Sequence, residues 1–256
     1  MDLKEAVIII TGGGTGVGSA CAQALAKCGA RVVISYNKSQ EAALDVEKKC
    51  KDAGGDAITI QGDVVLDGDC KNIATGAIER WGKIDGLINN AGITKFAAPN
   101  DLDALSSQDF MDLYSTNVVG SYQMLRACAE YLKSSKGSVV NVSSIAGIKA
   151  IGSSTAYIAS KAALNAITVA LARALAPEIR VNAVCPGLVD TDWHSKRFSQ
   201  EEYKLFLQKY EKTVPLRAAA KPEDIAETII WLLSSARLIT GETILVDAGL
   251  HLGKPM

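Results

Sequence analysis

The sequence is short of aromatic residues (5%) and holds only two histidines. It also has no excess of either charge: 27 Lys and Arg stand against 28 Asp and Glu, a net of -1. Near-neutrality leaves no basic footprint for nucleic acid and no polybasic stretch for an anionic membrane. His194 and His251 have no second plausible ligand nearby in sequence, which argues against a dedicated zinc or other metal site. Six cysteines (Cys21, Cys28, Cys50, Cys70, Cys128, Cys185) are scattered with no CxxC pair. That excludes a disulfide framework and points to a reducing cytoplasm. No apolar run reads as long enough for a membrane span. The start, MDLKEAVIII, carries acids where a signal peptide would be basic, so its apolar stretch reads as a buried strand.

What is present is an ordinary globular composition, 48% hydrophobic and 21% charged, with a regular alternation of short and long patterns. Strands are expected at Ala6–Thr11, Arg31–Ser35, Ala57–Gln61, Gly86–Asn89, Ser138–Val142, Arg180–Ala183 and Thr243–Val246. Amphipathic helices are expected at Ser19–Cys28, Gln40–Ala53, Gly68–Trp81, Ser107–Ser134 and Thr155–Ala176, with another after Pro222. Strand–helix alternation at this spacing favours right-handed βαβ units. The fold class is therefore α/β, a single Rossmann-type, doubly wound parallel sheet with helices on both faces. AVIII and SVVNV are apolar almost without alternation, as burial from both sides requires. No repeat or linker divides residues 1–256, which read as one dinucleotide-binding and catalytic domain. The polar stretch 190–213 interrupts the pattern as a substrate lid would. Ser199 followed by Glu201 and Glu202 reads as a helix start inside it.

Directly after the first strand comes TGGGTGVGSA. A helix N-terminus offers unpaired N–H groups to phosphate, and glycines let the backbone come close. Gly12 is assigned to the tight turn, Gly16 to close approach, and Gly18 to helix–strand packing, with Thr15 and Val17 between them. A GxGxxG reading from Gly12 fails at Val17, and a Walker A loop is excluded because no Gly-Lys-Ser/Thr follows. The second strand ends in Tyr36, Asn37 and Lys38, with no acid until Glu41. A carboxylate there would repel a 2′-phosphate, whereas Lys38 attracts one, so NADP(H) is favoured over NAD(H).

Tyr157 and Lys161 lie four apart on one helix face, thirteen and seventeen residues after Ser144. An unperturbed tyrosine is a poor acid–base group at neutral pH, and a nearby ammonium would stabilise its phenolate. Ser144 is then placed to bond the substrate oxygen while Tyr157 exchanges its proton. Ser143 is the rival serine; the spacing to Tyr157 favours Ser144.

With these pieces the chain resembles the short-chain dehydrogenase/reductase family over nearly its whole length. The motifs are Thr11-Gly12-x3-Gly16-x-Gly18, Asp63-Val64, Asn89-Asn90-Ala91-Gly92, Asn117, Ser144, Tyr157-x3-Lys161, Pro186-Gly187 and Thr191, in the family's order. The resemblance implies that Asp63 meets the adenine amino group, with Val64 packing nearby. Asn89, Ala91 and Gly92 would close the cofactor site. Asn117 would bend its helix and hold a water that relays protons to Lys161, which would also contact the nicotinamide ribose. Pro186, Gly187 and Thr191 would cover the nicotinamide. The turn Asp247-Ala248-Gly249 departs from the two glycines usual there, and LAPEIRVNA and SSARLITG are shorter than the family leads one to expect.

The resemblance is strongest to 3-oxoacyl reductases of fatty-acid synthesis and their broad-specificity relatives. It implies a small carbonyl or alcohol substrate and a homo-oligomer, commonly a tetramer built through the helices Ser107–Ser134 and Thr155–Ala176. Lys133 and Lys136 are the basic residues considered for a carrier-protein contact, with Glu178 opposing them. Trp193, His194, Phe198, Tyr203 and Phe206 are candidates to line the pocket. The alternatives are an NAD-linked sugar, polyol or hydroxysteroid dehydrogenase, a nucleotide sensor without turnover, and a methyltransferase-like nucleotide binder. An intact Ser144, Tyr157 and Lys161 argues against the last two.

Overall fold

A computed structural model describes residues 1–195 and 197–253. Its seven strands are β1 (Val7–Ile10), β2 (Arg31–Tyr36), β3 (Asp56–Gln61), β4 (Gly86–Asn89), β5 (Ser138–Val142), β6 (Arg180–Pro186) and β7 (Thr243–Val246). All pair in parallel, in the order β3-β2-β1-β4-β5-β6-β7. Parallel neighbours need a crossover, and helices supply it on both faces. On one face α1 (Gly16–Lys27), α2 (Gln40–Asp52) and α10 (Pro222–Ser234) bury Cys21, Leu25, Val46, Ile225 and Ile229 against Ile8 and Ile10. On the other, α3 (Asp67–Trp81), α5 (Ser121–Ser135) and α7 (Thr155–Leu175) cover Val7, Ile9 and Leu87 with Ile73, Met124 and Leu132. Alternate residues of β1 thus face opposite cores, which is why the strand is apolar throughout. Five of the six cysteines are buried in these layers and all six are unpaired.

Three boundaries differ from the sequence reading in ways that matter. Helix α1 begins at Gly16 rather than Ser19, so its first turn lies inside the glycine loop. β6 continues to Pro186, carrying the chain to the rim. The stretch expected as one helix is α4 (Ser107–Tyr114), a π-helical turn at Ser115–Gly120, and α5. The extra residue in that turn swings Asn117 inward and buries it completely. Periodicity cannot register a single inserted residue, because both flanking helices keep their own apolar faces.

Contrary to the sequence reading, α7 is long and apolar enough, by length and composition, to cross a membrane. Here, following the short α6 (Ala146–Lys149), it lies on the sheet, burying Leu164, Thr168 and Ala172. The shortened segment before β7 is held by Arg180, whose guanidinium donates to the carbonyls of Leu232 (2.7 Å), Leu233 (2.8 Å) and Ala236 (3.0 Å) at the end of α10. At the departing turn Ala248 takes a positive φ of 54°, a conformation glycine adopts without strain.

Beneath the rim runs a buried polar chain. Asn89 Nδ2 donates to Asn141 Oδ1 (2.9 Å), and Asn141 Nδ2 donates to Thr168 Oγ1 (2.8 Å). Thr168 in turn donates to Leu164 O. Thr168→Val keeps the shape but leaves the Asn141 amide without its acceptor. We expect a loss of about 1–3 kcal/mol in denaturant unfolding; an unchanged midpoint would mean the amide finds another partner.

Candidate active site

Every strand ends its carboxyl end at one edge, and between β1 and β4 the order of the sheet reverses. A crevice opens there because the connections leave in opposite directions. The cleft above it has a volume of about 750 Å³ and is lined by residues from the ends of β1, β2, β4, β5 and β6. Its floor is tied by Thr11, whose Oγ1 accepts the N–H groups of Asn90 and Ala91, both at 3.0 Å. Asn90 Nδ2 donates back to the carbonyls of Thr11 (3.0 Å) and Gly12 (2.9 Å).

The three glycines separate by cause. Gly12 has φ +61° and makes the turn. A Cβ on Gly18 would stand 2.5 Å from Gly12 O and 2.6 Å from Asn90 Nδ2, so its role is packing, and it does not line the cleft. Gly16 has φ +51°, and a Cβ there would meet only Thr191 Cγ2, at 3.5 Å across the cleft. The first turn of α1 carries no acid, and Thr15 makes no side-chain cap. Its N–H groups therefore face the cleft without a side-chain acceptor, a seat that suits a pyrophosphate. At the far end Tyr36, Asn37, Lys38, Asp63 and Val64 line the cleft. Asn37 Nδ2 donates to Asp63 Oδ2 at 2.8 Å, which holds that carboxylate at the rim.

At the other end Ser144, Tyr157 and Lys161 converge. The Ser154 side chain caps α7 by accepting the Tyr157 N–H, which sets the first turn carrying the tyrosine. Ser144 stands beside Tyr157 and acts to lower its phenol, whereas Ser143 is buried and donates to Lys161 O at 3.2 Å. Ser144 is thus the serine that faces the tyrosine. Burial pushes the Tyr157 phenol up to about 12 against the opposing influence of Ser144. The buried Lys161 ammonium is pulled down to about 8 by desolvation. Lowering of the phenol by Lys161 is not what the geometry produces. Lys161 Nζ donates to Val142 O at 2.9 Å and lies 5.7 Å from the ring centroid, over the ring.

Asn117 sits below this cluster with its carboxamide fully engaged. Oδ1 accepts Ile93 N–H (2.9 Å), and Nδ2 donates to Ile93 O (3.1 Å) and Ser160 Oγ (3.0 Å). A Cβ on Gly92 would crowd Asn117 Oδ1 at 3.2 Å and come into contact with Lys161 Nζ at 3.7 Å. Ser160 was not singled out in the sequence. It lies between Tyr157 and Lys161 on α7, and only the π turn brings Asn117 to it. Asn90 was read only as part of its motif, though an asparagine at a strand end beside a glycine turn is itself a signal for such bonding.

Other expected residues fall elsewhere. Asn89 is buried below the floor, its amide donating to Ser121 O and Asn141, and does not line the cleft. Ala91, Gly92, Val17, Pro186, Gly187 and Thr191 do line it. Within 190–213, α8 (Asp192–Ser195) brings Trp193 and His194 to the cleft, and α9 (Gln200–Glu211) starts at a capping box between Ser199 and Glu202. Phe198, Tyr203 and Phe206 stack on one another behind it instead. Lys133, Lys136 and Glu178 precede β5 and β6 and so sit at the amino edge, opposite the cleft. In a parallel sheet all strand starts share that edge, which removes these residues as contacts for anything entering the site.

The family model described as enoyl-(acyl carrier protein) reductase matches residues 12–251. A Streptomyces violaceoruber protein, provisionally named ketoacyl reductase 2 of the granaticin polyketide synthase, is 38% identical over 253 residues, covering 98% of each chain. An uncharacterised oxidoreductase of Methylorubrum extorquens is 35% identical over 252 residues, 97% of this chain and 99% of its own. A crystal structure from Burkholderia xenovorans, provisionally described as a short-chain dehydrogenase/reductase, superposes with a TM-score of 0.91 at 39% identity, covering 97% of this chain and 98% of that one. With its parallel sheet and rim cleft, the chain belongs to the short-chain dehydrogenase/reductase family, oxidoreductases that act on CH–OH groups of small molecules with an NAD(P)-type cofactor.

Proposed function

We propose that this enzyme is an NADP(H)-linked carbonyl reductase of the 3-oxoacyl type, with Tyr157 as its general acid. The observation that carries the reading is the gathering of Ser144, Tyr157 and Lys161 at the inner end of a cleft whose outer end is a glycine turn. The Streptomyces relative named as a ketoacyl reductase supports the substrate class.

Gly12, Thr15, Gly16 and Val17 would hold the pyrophosphate, Asp63 and Val64 the adenine, and Lys38 the 2′-phosphate. Ala91, Gly92, Pro186, Gly187 and Thr191 would enclose the nicotinamide end, with Gly18 and Asn89 supporting from below. When bound, the cofactor supplies hydride to a carbonyl carbon or takes it back. Tyr157, protonated throughout the neutral range, gives its proton to the carbonyl oxygen as charge develops there. Ser144 orients that oxygen and bonds the charge. Lys161, cationic below about pH 8 and set over the Tyr157 ring, would contact the nicotinamide ribose. Asn117 positions Lys161 and Tyr157 through Ile93 and Ser160.

Met111, Tyr114, Tyr122 and Val169 are exposed on α4, α5 and α7. A homotetramer joined through these helices would cover them, and the segment 190–213 would close over substrate as a lid. Six unpaired thiols suit a cytoplasmic setting.

Tyr157→Phe should lower the reduction rate about a thousandfold with cofactor binding kept; retention of more than a few per cent of the rate would remove the tyrosine from its role. Reduction should hold steady up to about pH 8 and fall above it as Lys161 loses its proton. Oxidation should rise with pH, since it needs the raised phenol deprotonated. An oxidation optimum at or below neutrality would contradict these assignments.

Lys38→Ala should reduce the NADPH-over-NADH ratio of kcat/KM about fivefold; a wild-type preference for NADH would overturn the cofactor choice. Light scattering should give four times the 27.0 kDa chain mass, and a monomer would refute the assembly.

A further inference from the structure

The substrate end of the cleft differs in character from the nucleotide end. Trp193 reaches it with 40% of its surface exposed, its ring centroid 6.5 Å from that of Tyr157 and tilted by 57°. An indole left this open in a concave site is apolar area waiting to be covered. It is not loosely held. Thr191 Oγ1 accepts the backbone N–H of Trp193, and the neighbouring His194 ring packs against Phe96 (5.8 Å) and Phe206 (6.1 Å). Phe206 stacks on Phe198 at 5.2 Å, and Tyr203 ties the layer to the rim through a 2.8 Å bond to Asp190. Three of the four phenylalanines in the chain stand in this one backing layer, which fixes where the Trp193 wall lies.

The charges of the same wall point the same way. Among the described residues lining the cleft the only cations are Lys38 and Lys161. Lys38 belongs to the far end with Asn37 and Asp63. Lys161 is buried, its ammonium bonded to Val142 O. Arg197 lies behind the wall with its guanidinium carbon over the Phe96 ring, 3.6 Å from the centroid. Burial and Arg197 both hold the His194 imidazole below its ordinary value, so it stays neutral at physiological pH. Asp192, on the same short helix, also lines the cleft. An anionic substrate tail would find no free cation among these described residues to meet it.

Resting on the carbonyl-reductase reading, we infer that Trp193 is the specificity-determining residue. It selects neutral ketones that carry a flat aromatic or conjugated group next to the carbonyl, stacked on the indole while the oxygen meets Tyr157 and Ser144.

The test compares acetophenone with cyclohexyl methyl ketone, a flat and a puckered substituent of similar size, in wild type and in Trp193→Phe, Trp193→Leu and Trp193→Ala. Intrinsic reactivity cancels when each variant is read as its ratio of kcat/KM values for the two ketones. The flat-over-puckered ratio should hold in Trp193→Phe and fall about five- to tenfold in the Leu and Ala variants. Wild type should also prefer methyl 4-acetylbenzoate to 4-acetylbenzoate. A ratio kept by Trp193→Leu, or unmoved in every variant, would overturn the inference while leaving the reductase reading standing; so would equal use of the charged probe. Failure of the wild type to reduce any ketone, with cofactor bound, would overturn the reductase reading and this inference together.

Discussion

Thr11 joins two strands at the one place in the sheet where neighbouring connections part. Its hydroxyl accepts from the N–H groups of Asn90 and Ala91 at the end of β4, while its own carbonyl and that of Gly12 accept the Asn90 amide. Strand ends at a reversal point have no next ladder partner, so without these bonds their backbone groups would be left unpaired beside a cavity. The clamp frees the following residues to turn. Gly12 turns back, Gly16 starts α1, and Gly18 passes so close to the clamp that no side chain fits. The nucleotide seat is therefore built from the same bonds that finish the sheet.

A second device links that seat to the reacting groups. The π turn costs helix geometry, but it delivers Asn117 into a fully buried position between Ile93, which follows β4, and Ser160 on α7. Ser121, just past the turn, donates to Asn117 O, and its own carbonyl accepts from Asn89 below. One polar chain thus runs from β4 through α5 to α7, so the positions of Tyr157 and Lys161 depend on the sheet floor. Buried polar groups joined in this way specify one arrangement where an apolar contact would tolerate several.

Much of this was legible in the sequence, for physical reasons that differ by element. β1 and β5 were readable because burial on both faces demands unbroken apolar runs. The reactive pair was readable because four residues on a helix return to one face. Gly12 and Gly18 were readable as a turn and a packing contact, and Ser199 as the start of a helix within 190–213. The π turn was hidden because one extra residue leaves no mark on the periodicity of either neighbour. The burial of Asn89 was hidden because strand alternation puts it on the core side while its motif suggests the cleft. The direction of the Tyr157 shift was misread: proximity of Lys161 in sequence says nothing of whether the ammonium meets the hydroxyl or the ring. Lys133 and Lys136 were misplaced for want of knowing which edge each strand start occupies. Which of the late aromatic residues reach the cleft depended on the stacking of Phe198, Tyr203 and Phe206, a tertiary fact no pattern announces.

If this rim cleft moves hydride to a carbonyl carbon, the product alcohol carries the hydrogen that left the nicotinamide. The most direct measurement is to incubate the enzyme with acetophenone and NADPH carrying deuterium at both C4 positions, and to weigh the product alcohol. One deuterium per molecule is expected, located on the carbinol carbon. Alcohol formed without the label, or no alcohol from an enzyme shown to bind the nucleotide, would contradict it.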